Sequence, residues 1–332
     1  MTTDLPDFPD IPLGHRVVVR YRLPEGEPQQ FTDVIGELLA HDPVRVRAAD
    51  GTTVTVAPGR LVAAKALGPR PIRIGEIRTL EAAAIDGWPG LARAWFDGWL
   101  CSAGHGYTLR ANSAVPLGDS GRGAALDMRT LQAIGQWYAG HGLPLRLRLP
   151  DRLAPVPPGW LVWGETLVLG IDIANFVLPH GPSMVRIDEQ PHPAWLELHR
   201  QRGEDTVDEA EPPPDVTVLT ATHEGTVGFA GLGLPDPLAI GRAALTTAPD
   251  GRRWVGLSCI AVAAPHRRHG LGTLVCAELI RWGHKRGATH AYVQVEAGNN
   301  GALAMYRQMG FVDHHHYRYA APNPNVGQYR AP

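Results

Sequence analysis

The segment that most constrains this chain is Val262-Ala263-Ala264-Pro265-His266-Arg267-Arg268-His269-Gly270-Leu271-Gly272, set between an apolar run and an amphipathic one. Residues 255–262 read as a strand and residues 270–285 as a helix. On that helix Leu271, Leu274, Val275, Leu279 and Trp282 form an apolar stripe, Glu278, Arg281 and Lys285 fall on a charged face, and Gly287 supplies a stop. The first amides of such a helix have no intrahelical partners, and its dipole puts roughly half a positive charge at that end. Gly270 and Gly272 allow close backbone approach, while Arg267, Arg268 and His269 add charge, so the turn suits a pyrophosphate.

Arg267-x-x-Gly270-x-Gly272 matches the Q/R-x-x-G-x-G/A acetyl-CoA signature, and the sequence after Val255 resembles the GNAT acetyltransferases. A second motif follows in the right order. The run from Asn299 through Ala302, Met305 and Tyr306 to Gly310-Phe311 is similar to that family's N-x-x-A-x-x-L-Y-x-x-x-G-F segment, with Met305 in place of the usual Leu. The resemblance implies acetyl-CoA as co-substrate. It carries cofactor contacts onto Ile260, Ala261 and Val262, whose backbone would pair with the pantetheine arm, onto Arg267, Arg268, His269, Gly270, Leu271, Gly272 and Thr273 around the pyrophosphate, and onto Asn299.

The same resemblance makes Tyr306 the candidate general acid. Amine attack on a thioester expels a thiolate that benefits from a nearby proton donor. A phenol of pKa ~10 is protonated at neutral pH, and full transfer to a thiolate of pKa ~8.5 is uphill by roughly 2 kcal/mol, so a hydrogen bond to the developing charge is the lesser demand. The alternative for Tyr306 is an aromatic packed in the core. No carboxylate lies on residues 255–262; Glu296 is either a base or a solvated strand-end carboxylate, and the base stays unassigned. His314-His315-His316 invites a metal, but neighbours on a strand point to opposite faces and cannot all reach one ion, so no metal site is expected.

A chain of 332 residues exceeds one compact core. With 38 Gly and 30 Pro, short elements joined by many turns are expected. Residues 1–70 read as a small SH3-like β-barrel, with strands at 15–23, 32–40, 44–48 and 52–56 and a two-residue hairpin turn at Asp50-Gly51. It is either an assembly module or a ligand-binding one. Residues 74–200 follow, with helical spacing over 79–100, an extended stretch at 108–117, a helix at 126–140 and strands at 145–149 and 165–173. Residues 203–215, acidic and ending in Pro212-Pro213-Pro214, read as a linker. A catalytic α+β unit spans 216–320, with strands at 216–221, 226–232, 241–246, 255–262, 291–296 and 314–319, and residues 321–332 form a tail. The whole layout resembles an actinobacterial GNAT group that joins an SH3-like barrel, a degenerate GNAT-like half and an active C-terminal half.

The formal charge of −2, from 31 basic and 33 acidic residues, gives no field for nucleic acid. Cys101, Cys259 and Cys276 show no metal or disulfide spacing, residues 1–12 do not read as a signal peptide, and no apolar run spans a membrane; a cytoplasmic protein is expected. The leading expectation is acetylation of a primary amine, and an oligomer is left open. Some members of the resembling group are described as N-acetylglutamate synthases, which makes glutamate one candidate, with Arg110, Arg242, Arg252 and Arg253 available for its carboxylates. A protein lysine or another small amine is open too. Arg110, Asn112 and Ser113 either line the acceptor cleft or form a buried network. A noncatalytic acyl-CoA sensor is the rival.

Overall fold

The structure, a computed structural model, describes residues 8–68, 70–119, 122–201 and 215–325. The expected linker lies outside these residues except for Asp215, as does the tail beyond 325. The chain divides into two compact units, Met1–Pro71 and Ile72–Pro332.

The first unit is a five-stranded antiparallel sheet of β1 (Arg16–Arg22), β2 (Phe31–His41), β3 (Val44–Ala48), β4 (Thr53–Val56) and β5 (Leu61–Ala66), in the order β4-β3-β2-β1-β5. Alternation in β1 to β3 buries Val17, Val19, Val34, Leu38, Val44 and Val46 on one face. The Asp50 turn is longer than expected. Ala48 N–H donates to Thr52 O and Gly51 N–H to Ala48 O, so three residues form the loop, and Gly51 takes φ +85. The Asp50 carboxylate fixes this form by accepting from the amide and hydroxyl of Thr52.

The second unit is built on one eleven-stranded mixed sheet, with helices packed on it, an α+β arrangement. Its elements are α1 (Ile74–Gly87), β6 (Ala92–Phe96), β7 (Trp99–Ala103), β8 (Ala114–Pro116), α2 (Met128–Gly140), β9 (Leu147–Pro150), β10 (Leu161–Asp172), β11 (Val185–Asp188), α3 (Pro193–Gln201), α4 (Val216–Thr220), β12 (Thr226–Leu232), β13 (Ala239–Thr247), β14 (Arg253–Val262), α5 (Leu271–Lys285), β15 (His290–Glu296), α6 (Asn300–Gln308) and β16 (Val312–Ala321). The sheet order is β11-β12-β13-β14-β15-β10-β16-β9-β8-β7-β6. Strand β10, from the middle of the chain, enters between β15 and β16, while β16 pairs with β9. The middle and C-terminal halves are therefore interlocked through exchanged strands.

Three sequence expectations are corrected here. The helix expected over 79–100 ends at Gly87, because Pro89 follows and disfavours helical backbone at Trp88. The rest of that stretch is the β6–β7 hairpin, turned by Asp97 and Gly98 at φ 44 and 87. Residues 216–220 form a helix instead of a strand, since the Asp215 side chain accepts from the amides of Thr217 and Val218 and caps it. Of the stretch read as extended at 108–117, Arg110–Asn112 is a 3-10 turn and only Ala114–Pro116 a strand. No helix among the described residues is long and apolar enough to cross a membrane.

Candidate active site

The site forms where two parallel strands part. β14 and β15 pair from Trp254↔His290 to Leu257↔Val293, and there the ladder stops. Beyond it β14 continues to Val262 and β15 to Glu296, each bonded only on its far side, to β13 and β10. The cause is local. Between the pairs Ile240↔Ala261 and Arg242↔Ser258, two residues of β14 face one of β13, a bulge with Cys259 in the left-handed region at φ 55. Gly241 accommodates it: a Cβ there would lie 2.7 Å from Ile260 and 2.8 Å from Leu279. Ile260, Ala261 and Val262 thus edge the slot left where the β14–β15 ladder ends.

The slot runs toward the start of α5. Gly270 caps that helix at φ 78, ψ 0, with no side chain bonded to the first-turn amides. Arg267, Arg268, His269 and Gly270 are exposed, while Leu271 and Gly272 are partly covered and Thr273 is exposed. Gly270 is needed for its backbone angle, since a Cβ there would meet nothing within 4 Å, and Gly272 packs near Met305 and Val262. Arg268 also adopts positive φ, and its guanidinium lies beside Gly301 at the start of α6. Arg267 Nε donates to Val262 O at 3.2 Å. Asn299 caps α6, accepting from Ala302 N–H at 3.1 Å. Free amides, a helix dipole and two arginines thus make an anion cradle at the slot's end.

The equivalent turn in the middle half is filled from within. β8 and β9 meet at the single parallel pair Ala114↔Leu147, but the following α2 is capped by Asp127, which accepts from Thr130 N–H at 2.8 Å. A carboxylate at that N-terminus repels a phosphate.

Tyr306 is buried, edge-to-face with Phe311, and its hydroxyl lies 4.0 Å from Cys276 Sγ. Burial pushes the Cys276 thiol up to about 12, against the hydrogen bond to Tyr306, so Cys276 stays neutral. Glu296 is exposed at the strand end. Glu278, expected on the charged face of α5, is instead buried and paired with Arg281 at 2.6 Å.

At the inner end of the slot a pocket is lined by Ala84, Gly87, Trp88 and Arg110 from the middle half and Arg242, Gly256, Leu257, Ser258, Tyr292 and Gln294 from the C-terminal half. Of the four arginines considered from sequence, the fold brings Arg110 and Arg242 here. Arg252 pairs with Asp250, and Arg253 packs against Gly287. Asn112 and Ser113 are structural: Asn112 accepts from the amides of Gly104 and Gly106 and donates to Tyr107 O and Thr108 O, and Ser113 Oγ is 3.5 Å from Arg110 O. Gly256 matters because the Tyr292 ring lies across it; a Cβ would fall 2.2 Å from Cζ and Oη. Sequence reasoning missed Trp88, Ser258, Tyr292 and Gln294. The polar Gln294 within the otherwise apolar strand Ala291 to Val295 was the available signal.

The three histidines do not simply alternate. β16 shifts register between His315 and Asp313, and this bulge brings His314 Nδ1 to 2.8 Å from His315 Nδ1. His315 Nε2 lies 2.8 Å from Glu81, whose other oxygen is 3.1 Å from Arg148. His316 turns toward Glu165 at 3.4 Å. Burial and the adjacent His315 push His314 down to about 4. Burial raises the Glu81 carboxyl, but Arg148 and His315 outweigh it and hold it below the usual range.

Residues 74–320 match the family model described as "Probable histone acetyltransferase Rv0428c C-terminal", and residues 11–65 match "Rv0428c N-terminal Sm-like domain". The small barrel expected as SH3-like thus falls in the Sm-like class. The chain is 40% identical over 318 residues to "Probable histone acetyltransferase Rv0428c" of Mycobacterium tuberculosis, covering 95% of this chain and 97% of that protein. It is 28% identical over 258 residues to "Uncharacterized N-acetyltransferase YobR" of Bacillus subtilis, covering 73% and 98%. Among solved structures, a GCN5-related N-acetyltransferase from Kribbella flavida superposes with a TM-score of 0.51 at 18% identity, covering 78% of this chain and 100% of that one, which is a likeness of fold.

Proposed function

Because the chain belongs to the GNAT family and is an acetyl-CoA-dependent N-acetyltransferase, we propose that it acetylates a small primary amine by direct attack, with Tyr306 as the proton donor. The observation that carries this reading is the slot between β14 and β15, leading from the start of α5, whose Gly270 cap supplies no side-chain hydrogen bond, to a pocket shared by both halves.

When bound, acetyl-CoA supplies an activated acetyl thioester. The residues present fit it: the unpaired edge of Ile260, Ala261 and Val262 has strand hydrogen-bonding groups for the pantetheine amides, and the amides of Leu271, Gly272 and Thr273 with Arg267, Arg268 and His269 suit the pyrophosphate. Asn299 supports the neighbouring α6 as its cap. In this reading the Tyr306 hydroxyl bonds the sulfur as the carbon–sulfur bond breaks, while the proton lost by the amine passes to solvent. The free α-amino group of glutamate is one candidate acceptor among small amines. The three cysteines are free and buried, in keeping with a reducing, cytoplasmic setting.

A second reading, in which a protein amine is the acceptor, is favoured by the mycobacterial relative's name as a probable histone acetyltransferase. Thiol release measured over a panel of amino acids, amines and lysine peptides separates the two. Tyr306→Phe is expected to keep acetyl-CoA affinity and lose ~100-fold or more in kcat. Unchanged turnover would remove Tyr306 from the chemistry.

A further inference from the structure

The cavity at the inner end of the slot is small and sits where the strands part. Its volume is about 20 Å³, room for one water-sized group rather than a whole acceptor. The last pair of the β14–β15 ladder is Leu257↔Val293, and the next residue on each strand, Ser258 and Gln294, lines the cavity. Gly256 and Tyr292, two residues back on each strand, line it from the same face of the sheet.

Donors around this space are in excess. The Nε2 atom of Gln294 is buried and has no hydrogen-bond partner. Arg242 is 1% exposed; its guanidinium donates to the carbonyls of Leu219, Gly87 and Ala221 at 2.7, 2.9 and 3.0 Å and lies 3.5 Å from Ser258 Oγ. Since Ser258 Oγ accepts from Arg242, its own proton is left to donate. Arg242 stacks on Trp88 at 4.4 Å, and Arg110 approaches the same ring at 5.7 Å. Among the described residues no Asp or Glu lines the cavity. Carbonyl dipoles solvate a guanidinium without cancelling its charge. An ammonium is repelled from such a place, whereas an oxygen that gains negative charge is stabilised there.

We propose that Gln294 Nε2 and the Ser258 hydroxyl hold the carbonyl oxygen of the acetyl thioester at the β14–β15 split, with Arg242 and Arg110 supplying positive charge behind them. As the amine nitrogen bonds to the carbonyl carbon, the π pair moves onto that oxygen and is held by these two donors. The pair returns as the carbon–sulfur bond breaks toward Tyr306, and the amine's proton leaves to solvent. Gln294 and Ser258 are then catalytic residues, whatever the amine. The inference rests on the acetyltransferase reading and adds to it the groups that stabilise the reacting carbonyl.

Infrared difference spectroscopy of acetyl-CoA, isotope-labelled at the thioester carbonyl and bound to the full chain without an amine, reads this contact directly. In the wild type the carbonyl band is expected at lower wavenumber than in free acetyl-CoA, and in Gln294→Met and Ser258→Ala it should return toward the free position. With the best amine, Gln294→Met should lose ~100-fold or more in kcat and Ser258→Ala ~10-fold or more, while the calorimetric affinity for acetyl-CoA stays unmoved. A wild-type band at the free position would make the cavity a water site and overturn the inference, as would a shift or a kcat that both variants keep. Acetyl-CoA affinity falling in step with kcat would reduce the pair to cofactor binding and also overturn it. In each of these cases turnover by the wild type leaves the acetyltransferase reading standing. No acetyl-CoA binding and no thiol release with any amine overturns both.

Discussion

Replacing Gly256 by alanine probes the packing that shapes the pocket at the inner end of the slot. A Cβ at this position would sit 2.2 Å from Cζ and Oη of Tyr292 and 2.5 Å from Cε1. Ordinary carbon contacts begin near ~3.5 Å, so the ring must shift by about 1 Å or more. Its way out is narrow, since the ring packs edge-on to Trp254 and Tyr292 is only 6% exposed. Overpacking of this kind costs about 1–3 kcal/mol, which for a unit of this size lowers the Tm by roughly 2–10 °C. The displaced ring also intrudes on Ser258 and Gln294, lowering kcat more than acetyl-CoA affinity. Thermal melts and initial rates measure both effects, and a double-mutant cycle with Tyr292→Ala assigns the cause. The pair should be less destabilising than the sum of its members by about 1 kcal/mol or more. Wild-type stability for Gly256→Ala, or strict additivity with Tyr292→Ala, would refute the reasoning.

Other outcomes follow from the same contacts. Asn112→Ala orphans two amides and two carbonyls around the 104–108 loop and should destabilise the second unit by about 4 kcal/mol, measured by urea denaturation. The His314 shift to about 4 means that the unfolded chain takes up its proton first as pH falls from 7. Stability conferred by neutral His314, at most about 3 kcal/mol, is present above the unfolded pKa near ~6.5 and is lost as pH drops toward 4; His314→Gln should flatten that slope between pH 6.5 and 4 in chemical melts. A slope unchanged by the substitution would place the titration elsewhere.

What could be read from sequence was what lies close in sequence. The Arg267–Gly270–Gly272 turn is a strand, loop and helix within one stretch, so its glycines and charges announce the positive-φ cap and the bare amides found at α5. The pocket at the inner end of the slot was legible only in Arg110 and Arg242, because Trp88 and Arg110 meet Ser258 and Gln294 only through a sheet joined by exchanged strands. Nothing near Leu161 to Asp172 marks β10 for insertion between β15 and β16. Asp97-Gly98 was a usable turn signal, overridden by apolar spacing that runs through it. The His314 bulge escaped notice since period-2 reasoning assumes an unbroken ladder.

The central claim is that the bare amides of α5 and the arginines before it hold a diphosphate. Isothermal calorimetry of acetyl-CoA into the folded chain tests it most directly, with Gly270→Ala and Gly270→Glu alongside. Both substitutions strain the αL cap by about 1 kcal/mol, but only the second sets negative charge at the helix start, where a Cβ meets open space. The account predicts saturable binding to the wild type, modest weakening for Gly270→Ala and loss for Gly270→Glu with its circular dichroism spectrum kept. Wild-type affinity in Gly270→Glu, or no heat from the wild type at millimolar acetyl-CoA, would contradict it.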